Sequence, residues 1–520
     1  MHLRRAVSFP ARWAALFIVA FAGDASAQEE PLLSKVLKGF YGTFDVSFEA
    51  TTKGMDGFVA YPYSLNDPNN PNSGFAQGPA KGGGAGPVGR VGWMPEISTN
   101  KSGIGYRGSH AIGGGDVGFI YQIETALVFT SNPGLSQSWT QDSAVVKTAL
   151  GYGDTFIGIS PAGFGSLKVG TVYSPYKKST DRLNPFSGHL GDYASIIGNS
   201  GGDNRVEFGT RLEHSIWYES PKIAGMVNVD FLWSPGQNRT YDSIIQSGGA
   251  SDCSGGNVPG SGNLPLNCDD GAFQDALSAD IRVEVGGLYV TGAIEWHDRV
   301  NRNSDGIGNN NPLSAYYAIN HPNGVIGGPT LDPTFNNPQD LPAQALGAYV
   351  DDIGPETAMK VAAQYVFDFG FSIGGLFEAL RRNIPSELNY QNERQRNGTW
   401  LTATQKVGVG SVSVGWAHAT RTAGDPGGQH NYNPNATNTA DMVTATVTWH
   451  FDKSLMWYAD FADTMNNGNA HFDIGAGGRG LTTDCHDATS IAFIDYSSNG
   501  PTTWGGCNIV GFGTGLNYKF

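Results

Sequence analysis

The sequence predicts an all-β chain: a closed antiparallel β-barrel of about sixteen strands that crosses a membrane. Three observations carry that expectation. The first is composition: of 520 residues 73 are glycine and only 15% are charged, against roughly a quarter in ordinary soluble domains. Glycine costs roughly 1 kcal/mol against alanine inside a helix, so a helical bundle is excluded, and aromatics at 11% exclude a disordered chain. The second is period-two alternation, in which oily residues take one face of a segment and small or polar residues the other. The third is layout, because alternating segments of roughly ten residues are joined by long Gly/Asn/Pro-rich loops and short turns in strict alternation.

Taken in order, Arg4, Arg5 and Arg12 flank the apolar run 13–22, and the small-residue site Ala25-Ser26-Ala27 follows. Residues 1–27 therefore read as a secretory signal peptide, too short in its apolar run for the roughly twenty residues of a spanning helix. Its removal leaves 29 basic against 46 acidic residues, a balance that argues against a nucleic-acid partner. Residues 28–38 are a lead-in, and 39–520 are the barrel.

Strands are expected to begin near 39, 103, 117, 154, 167, 213, 226, 276, 288, 358, 371, 399, 411, 441, 455 and 508. The last shows the pattern best: Val510, Phe512, Thr514, Leu516, Tyr518 and Phe520 alternate with Gly511, Gly513, Gly515, Asn517 and Lys519. The first sets Phe40, Phe44, Val46 and Phe48 against Tyr41, Thr43, Asp45, Ser47 and Glu49. Short turns at 113–116, 286–287, 367–370 and 451–454 lie on one side, and the long connections, among them 53–101, 235–275, 298–356 and 464–507, on the other. An even strand count with this asymmetry suits a barrel closed in lipid, where an unpaired edge is not tolerated. Trp233, Trp296, Trp449 and Trp457 fall near strand ends, where an aromatic girdle meets the headgroups.

Four cysteines form two close pairs, Cys253 with Cys268 and Cys485 with Cys507. In an exported chain disulfides are the expected state, and of the three possible connectivities this local one closes the shortest loops.

Several motifs together resemble a known family. They are Ser102-Gly103-Ile104-Gly105-Tyr106-Arg107-Gly108-Ser109 leading to Gly113-Gly114-Gly115 and Tyr121-Gln122-Ile123-Glu124; Phe164-Gly165-Ser166-Leu167-Lys168-Val169-Gly170; Arg211, then His214-Ser215-Ile216-Trp217-Tyr218-Glu219-Ser220-Pro221; and the terminal Phe520. In this order the chain resembles the trimeric general porins of Gram-negative outer membranes, of the beta-proteobacterial type. The resemblance implies a sixteen-stranded homotrimer, integral to the outer membrane among lipid and lipopolysaccharide, with Phe520 as the signal read by the barrel-assembly machinery. It also implies that the third long loop, about 174–212, folds inward and narrows the pore.

That loop carries Asp181, Asp192, Asp203 and Glu207 together with Lys177, Lys178, Arg182 and Arg205. Arg107 matches the family's inward basic position, and Lys168 and Lys519 are further wall candidates. The expected pore constriction is Arg107, Asp181, Arg182, Asp192, Asp203, Glu207, Lys168 and Lys177, whose opposed charges would orient polar solutes in a narrow cleft. Inward acids Asp45, Glu49, Glu124, Asp280, Glu284, Glu295 and Asp460 outnumber inward Arg107, Arg282, Lys360, Lys406 and Lys519, which suggests a mild cation preference.

Enzyme-like motifs carry little weight here. Gly103-Ile104-Gly105-Tyr106-Arg107-Gly108 fits G-x-G-x-x-G but precedes no helix to hold a pyrophosphate, and Gly198-Asn199-Ser200-Gly201-Gly202 fits G-x-S-x-G inside a Gly-rich loop rather than a strand-to-helix elbow. His297 and His450 lack metal-ligand spacing. The expected function is passive diffusion of small hydrophilic solutes and ions, with no catalytic residue, metal or cofactor. A substrate-selective channel with a loop-gated mouth, and a barrel serving as adhesin or enzyme, stay open as alternatives.

Overall fold

A computed structural model describes residues 38–58, 89–127, 153–198, 208–235, 273–301, 353–383, 395–421, 439–467, 472, 474–475 and 508–520. The expected signal peptide, all four cysteines with their expected pairing, and Asp203 and Glu207 lie outside these residues. The chain divides into a leading unit, Met1–Phe40, and a second, Tyr41–Phe520, which holds the barrel.

Seventeen strands form a single antiparallel sheet. They are β1 (Phe40–Phe58), β2 (Gly89–Thr99), β3 (Gly103–Ile112), β4 (Val117–Ala126), β5 (Thr155–Pro161), β6 (Ser166–Tyr173), β7 (Arg211–Glu219), β8 (Val227–Pro235) and β9 (Asp275–Val285). There follow β10 (Leu288–Asn301), β11 (Ile353–Val366), β12 (Phe371–Arg382), β13 (Arg396–Val407), β14 (Gly410–Ala419), β15 (Ala440–His450), β16 (Leu455–Asn466) and β17 (Asn508–Lys519). From β3 onward each strand pairs with the next, and β17 returns to β1 with Thr43 opposite Lys519 and Thr51 opposite Gly511. β2 and β3 are two halves of one stave, so the wall is a closed sixteen-strand barrel.

The break in that stave is repaired by side chains. Asn100 Nδ2 donates to Ser47 Oγ at 2.9 Å and to the Tyr458 hydroxyl at 2.8 Å. Ser102 Oγ accepts from the Asp45 N–H at 2.8 Å and donates to the Asp45 carbonyl at 2.9 Å. These bonds replace the ladder where the backbone leaves it, as a strand buried in lipid requires.

The wall has the inverse burial of a soluble protein. Phe48, Val361, Leu401 and Phe512 are exposed on one face, while Asp45, Ser47, Glu49 and Glu295 are buried on the other. The oily face therefore points to lipid and the polar face to the lumen. The largest difference from the expected strand layout is at 53–101: β1 runs on to Phe58, and β2 occupies the end of what reads as a loop; β11 also begins at Ile353, five residues before its expected start. Pro95 and the glycines around β2 hide its alternation, but pairing with β1, where Pro95 lies opposite Ala50, holds it as a strand.

Candidate functional site

The third long connection is built to cross the lumen. Ser174 follows β6 and caps a one-turn helix, α1 (Pro175–Lys178), its hydroxyl accepting from the Lys177 N–H at 3.3 Å. Pro175 at the first helical position loses no hydrogen bond there. Tight turns follow at Asp181–Leu183 and Tyr193–Ser195. Gly188 and Gly191 take φ of +86° and +81°, a region that favours glycine, and they bracket His189. Asp192 closes this turn, accepting from Asn184 Nδ2 at 2.7 Å, the Gly188 N–H at 2.8 Å and the Ala194 N–H at 3.0 Å. Burial opposes its charge, but Lys177, Lys101 and these N–H groups outweigh it and lower its pKa.

The loop is tied to the inner wall strand by strand. The Tyr176 N–H donates to Ser278 Oγ on β9 at 3.0 Å and its hydroxyl donates to Glu378 on β12. The Tyr289 hydroxyl on β10 donates to the Ser179 carbonyl at 2.5 Å, Lys360 Nζ on β11 to Thr180 Oγ1 at 2.6 Å, and Trp400 Nε1 on β13 to the Leu183 carbonyl at 2.9 Å. Between the glycine pair, His189 Nε2 lies 2.9 Å from Asp45 on β1 and Nδ1 lies 3.6 Å from Asp460 on β16, its ring stacked on Tyr458. Between the tethers Leu183, Phe186, Tyr193, Ile196 and Ile197 form an apolar layer over Leu376, Trp400, Ala417 and Met442. The inner wall is oily there because the loop covers it.

The opposite wall keeps its charges. Arg107 on β3 is exposed, with its guanidinium 4.5 Å from the centre of the Tyr41 ring. The Tyr41 hydroxyl donates to Glu124 at 2.5 Å, and Arg211 Nε donates to Asp154 at 3.0 Å. Lys168 pairs with Glu219, and Lys168 and Lys178 lie 4.2 and 3.3 Å from the Trp217 ring centre. Burial lowers the pKa of Lys178 against the pull of Asp154.

The structure thus separates the residues expected at the constriction. Asp181 and Arg182 stand exposed on the loop, where Arg182 Nη1 meets Glu284 at 2.6 Å. Lys177 sits 3.6 Å from Asp181; burial works against its charge, but Tyr193, Asp181 and Asp192 raise its pKa. Asp192 is turned into the loop, and Lys168 is a wall ion pair. The excess of inward acids does not form an acidic lining. Asp45, Glu49, Asp280, Glu295 and Asp460 are at most 5% exposed. All seven acids have partners in the wall or loop: Asp280 has Arg282, Glu295 the Gly209 N–H and His297, and Glu49 the hydroxyls of Ser47 and Ser98. Residues that sequence reasoning passed over, His189, Trp400 and Lys101, are the loop's tethers; Lys101 Nζ donates to Ser187. The G-x-G-x-x-G motif lies along β3 and opens no helix.

A family model described as "Gram-negative porin" matches residues 14–469. The chain belongs to that family. No curated protein sequence matches this porin. Among solved structures it is similar to an anion-selective porin from Comamonas acidovorans, at 12% identity over 92% of this chain and 98% of that one, with a TM-score of 0.54. It is also similar to OmpF of Salmonella typhi in complex with daunomycin (13% identity, 92% and 97% covered, TM-score 0.45) and to the outer-membrane-expressed OmpT of Vibrio cholerae (11%, 92% and 97%, 0.45). The porin is an integral outer-membrane β-barrel whose lumen is partly filled by its own third loop.

Proposed function

We propose that this porin is a passive diffusion channel for small hydrophilic solutes and ions, working as a homotrimer with no covalent chemistry of its own. The observation that carries the reading is the division of the lumen. A loop tethered to β9–β13, β1 and β16 covers one side, and a charged wall from β3 to β7 is left facing it. Transport runs down gradients through the space between Arg107 and the exposed Asp181 and Arg182. Because the wall acids are buried or paired, and Asp181 and Arg182 are themselves in ion pairs with Lys177 and Glu284, the sign of selectivity rests chiefly on Arg107 and not on the total. Phe520 serves as the assembly signal, and outer-leaflet lipopolysaccharide surrounds the barrel.

The test is single-channel current of the purified protein in a planar bilayer under a salt gradient. Ohmic steps grouped in threes, with a weak reversal potential, are expected. A folded, heat-modifiable barrel that passes no current overturns the reading.

A further inference from the structure

A second connection reaches into the lumen and meets the third loop there. The connection between β16 and β17, 467–507, is rich in glycine and asparagine over 467–478, yet it holds Phe472 and Ile474 two residues apart. Both are buried. Asn466, the last residue of β16, fixes where the chain turns back. Its Nδ2 donates to the Phe472 carbonyl at 2.9 Å and its Oδ1 accepts from the Phe472 N–H at 2.8 Å. A side-chain amide has one donor and one acceptor side, so it can pair with both backbone groups of one residue as a neighbouring strand would.

From that clamp the segment runs against the third loop. Phe472 belongs to the apolar layer that holds Phe186, Tyr193 and Ile196. The Arg396 guanidinium on β13 lies 5.2 Å from the Phe472 ring centre and also donates to the Ile196 carbonyl, so it touches both connections. Ile474 joins Leu190, Ala462 and Ile509 in a separate apolar cluster. The Gly191 N–H donates to the Ile474 carbonyl at 2.9 Å, and Gly475 lies opposite Leu190 in an antiparallel bridge. Gly475 takes a φ of +114°, and a Cβ there would stand 2.9 Å from the backbone nitrogens of Gly191 and Asp192. Glycine is what lets the two connections meet. Underneath, the inward glycines of β17 form a seat for both: a Cβ on Gly511 would lie 3.0 Å from Ile474 Cδ1 and 3.4 Å from Leu190 Cδ1.

We propose that Phe472, Ile474 and Gly475 latch the third loop in place, so that the width of the constriction is set by the two connections together and not by the third alone. The bridge falls on the turn that carries His189, which the wall holds through Asp45 and Asp460. The latch adds apolar contact and a backbone hydrogen bond to that ionic tether. Its effect on permeation rests on the diffusion reading, whereas its hold on the loop does not.

The experiment compares the full-length parent with Phe472→Ala/Ile474→Ala and, separately, Gly475→Val. The first removes the apolar contacts. The second keeps them and blocks the bridge. Each protein is first shown to be a folded, heat-modifiable barrel, and if the double variant does not assemble, Gly475→Val decides alone. Hydrogen–deuterium exchange over 174–198 reads the loop, and single-channel current with neutral polyethylene glycols of graded size reads the constriction. Exchange there is expected to be roughly a hundredfold faster in the double variant, about what truncating one buried aromatic residue removes, and faster also in Gly475→Val, with the strands unchanged. Both variants are expected to admit larger polymers than the parent does. Parent-like exchange over 174–198 in either variant overturns the latch. Faster exchange with an unchanged polymer cut-off overturns its part in setting the pore's width. A parent that passes no current counts against the diffusion reading, and the exchange result still decides whether the latch holds the loop.

Discussion

His189 holds two wall carboxylates at once. Burial favours its neutral form, but the bond to Asp45 and the charges of Asp45 and Asp460 outweigh both burial and nearby Lys101, so its pKa is raised. Tyr458 stacks on the ring and adds no charge of its own at neutral pH. A raised folded pKa means that this contact stabilises fully below the ordinary value of about 6.5 and is lost as pH rises through the higher folded value. Current fluctuations from loop movement are therefore expected to grow as pH rises above about 6.5, and His189→Asn to show them at every pH. Noise spectra of single channels across that range check this, and a parent channel equally quiet throughout would count against it. Arg107 poses a simpler question, since it is exposed to the lumen and no carboxylate bond is described for it. A unit charge about 6 Å from a passing ion is worth about 0.7 kcal/mol in water. Arg107→Gln should shift the cation-to-anion permeability ratio roughly tenfold toward cations, since a cation gains and an anion loses that energy, read from the reversal potential.

At the scale of elements, the strands were legible because lipid on one side and water on the other force period two on every residue that crosses. Expected and observed strand starts agree closely, from β1 at Phe40 to β17 at Asn508. Two things were not legible. Alternation tells which side Asp45 or Glu295 faces, but not that a loop covers it, so counting inward acids overstated the lumen's charge. The loop's own fold has no period; its signal was the presence of Leu183, Phe186, Ile196 and Ile197 in a connection that is otherwise polar. Their contact depends on Trp400, and a Cβ on Gly415 would collide with that indole. Gly415→Val is expected to displace Trp400, release the Leu183 carbonyl and free the loop while the strands persist. Faster proteolysis within 174–198, with an unchanged far-ultraviolet spectrum, is the outcome to look for. Asp192→Ala should act in the same direction, removing a cap worth about 1 to 2 kcal/mol.

For the molecule as a whole, everything depends on closure, since a barrel in lipid tolerates no free strand edge. The seam between β1 and β17 finishes at the last residue. The Gly42 N–H donates to the Phe520 carbonyl and the Phe520 N–H to the Gly42 carbonyl, each at 3.1 Å. Gly42 faces the Phe520 ring so closely that any Cβ would strike it, and that Cβ would also lie 2.9 Å from the Gly103 carbonyl on the neighbouring stave. The glycine thus lets three strands meet at one point, and Phe520 locks the seam, a role separate from the assembly signal proposed for it. Gly42→Val keeps Phe520, so it separates the two roles. If the aromatic acts only as an assembly signal, the variant reaches the membrane and resists detergent unfolding as the parent does. If closure is also at stake, the variant is inserted but unfolds at a lower temperature on a heat-modifiability gel, because two hydrogen bonds worth about 1 kcal/mol each are strained where water cannot replace them. The seam geometry predicts the second outcome.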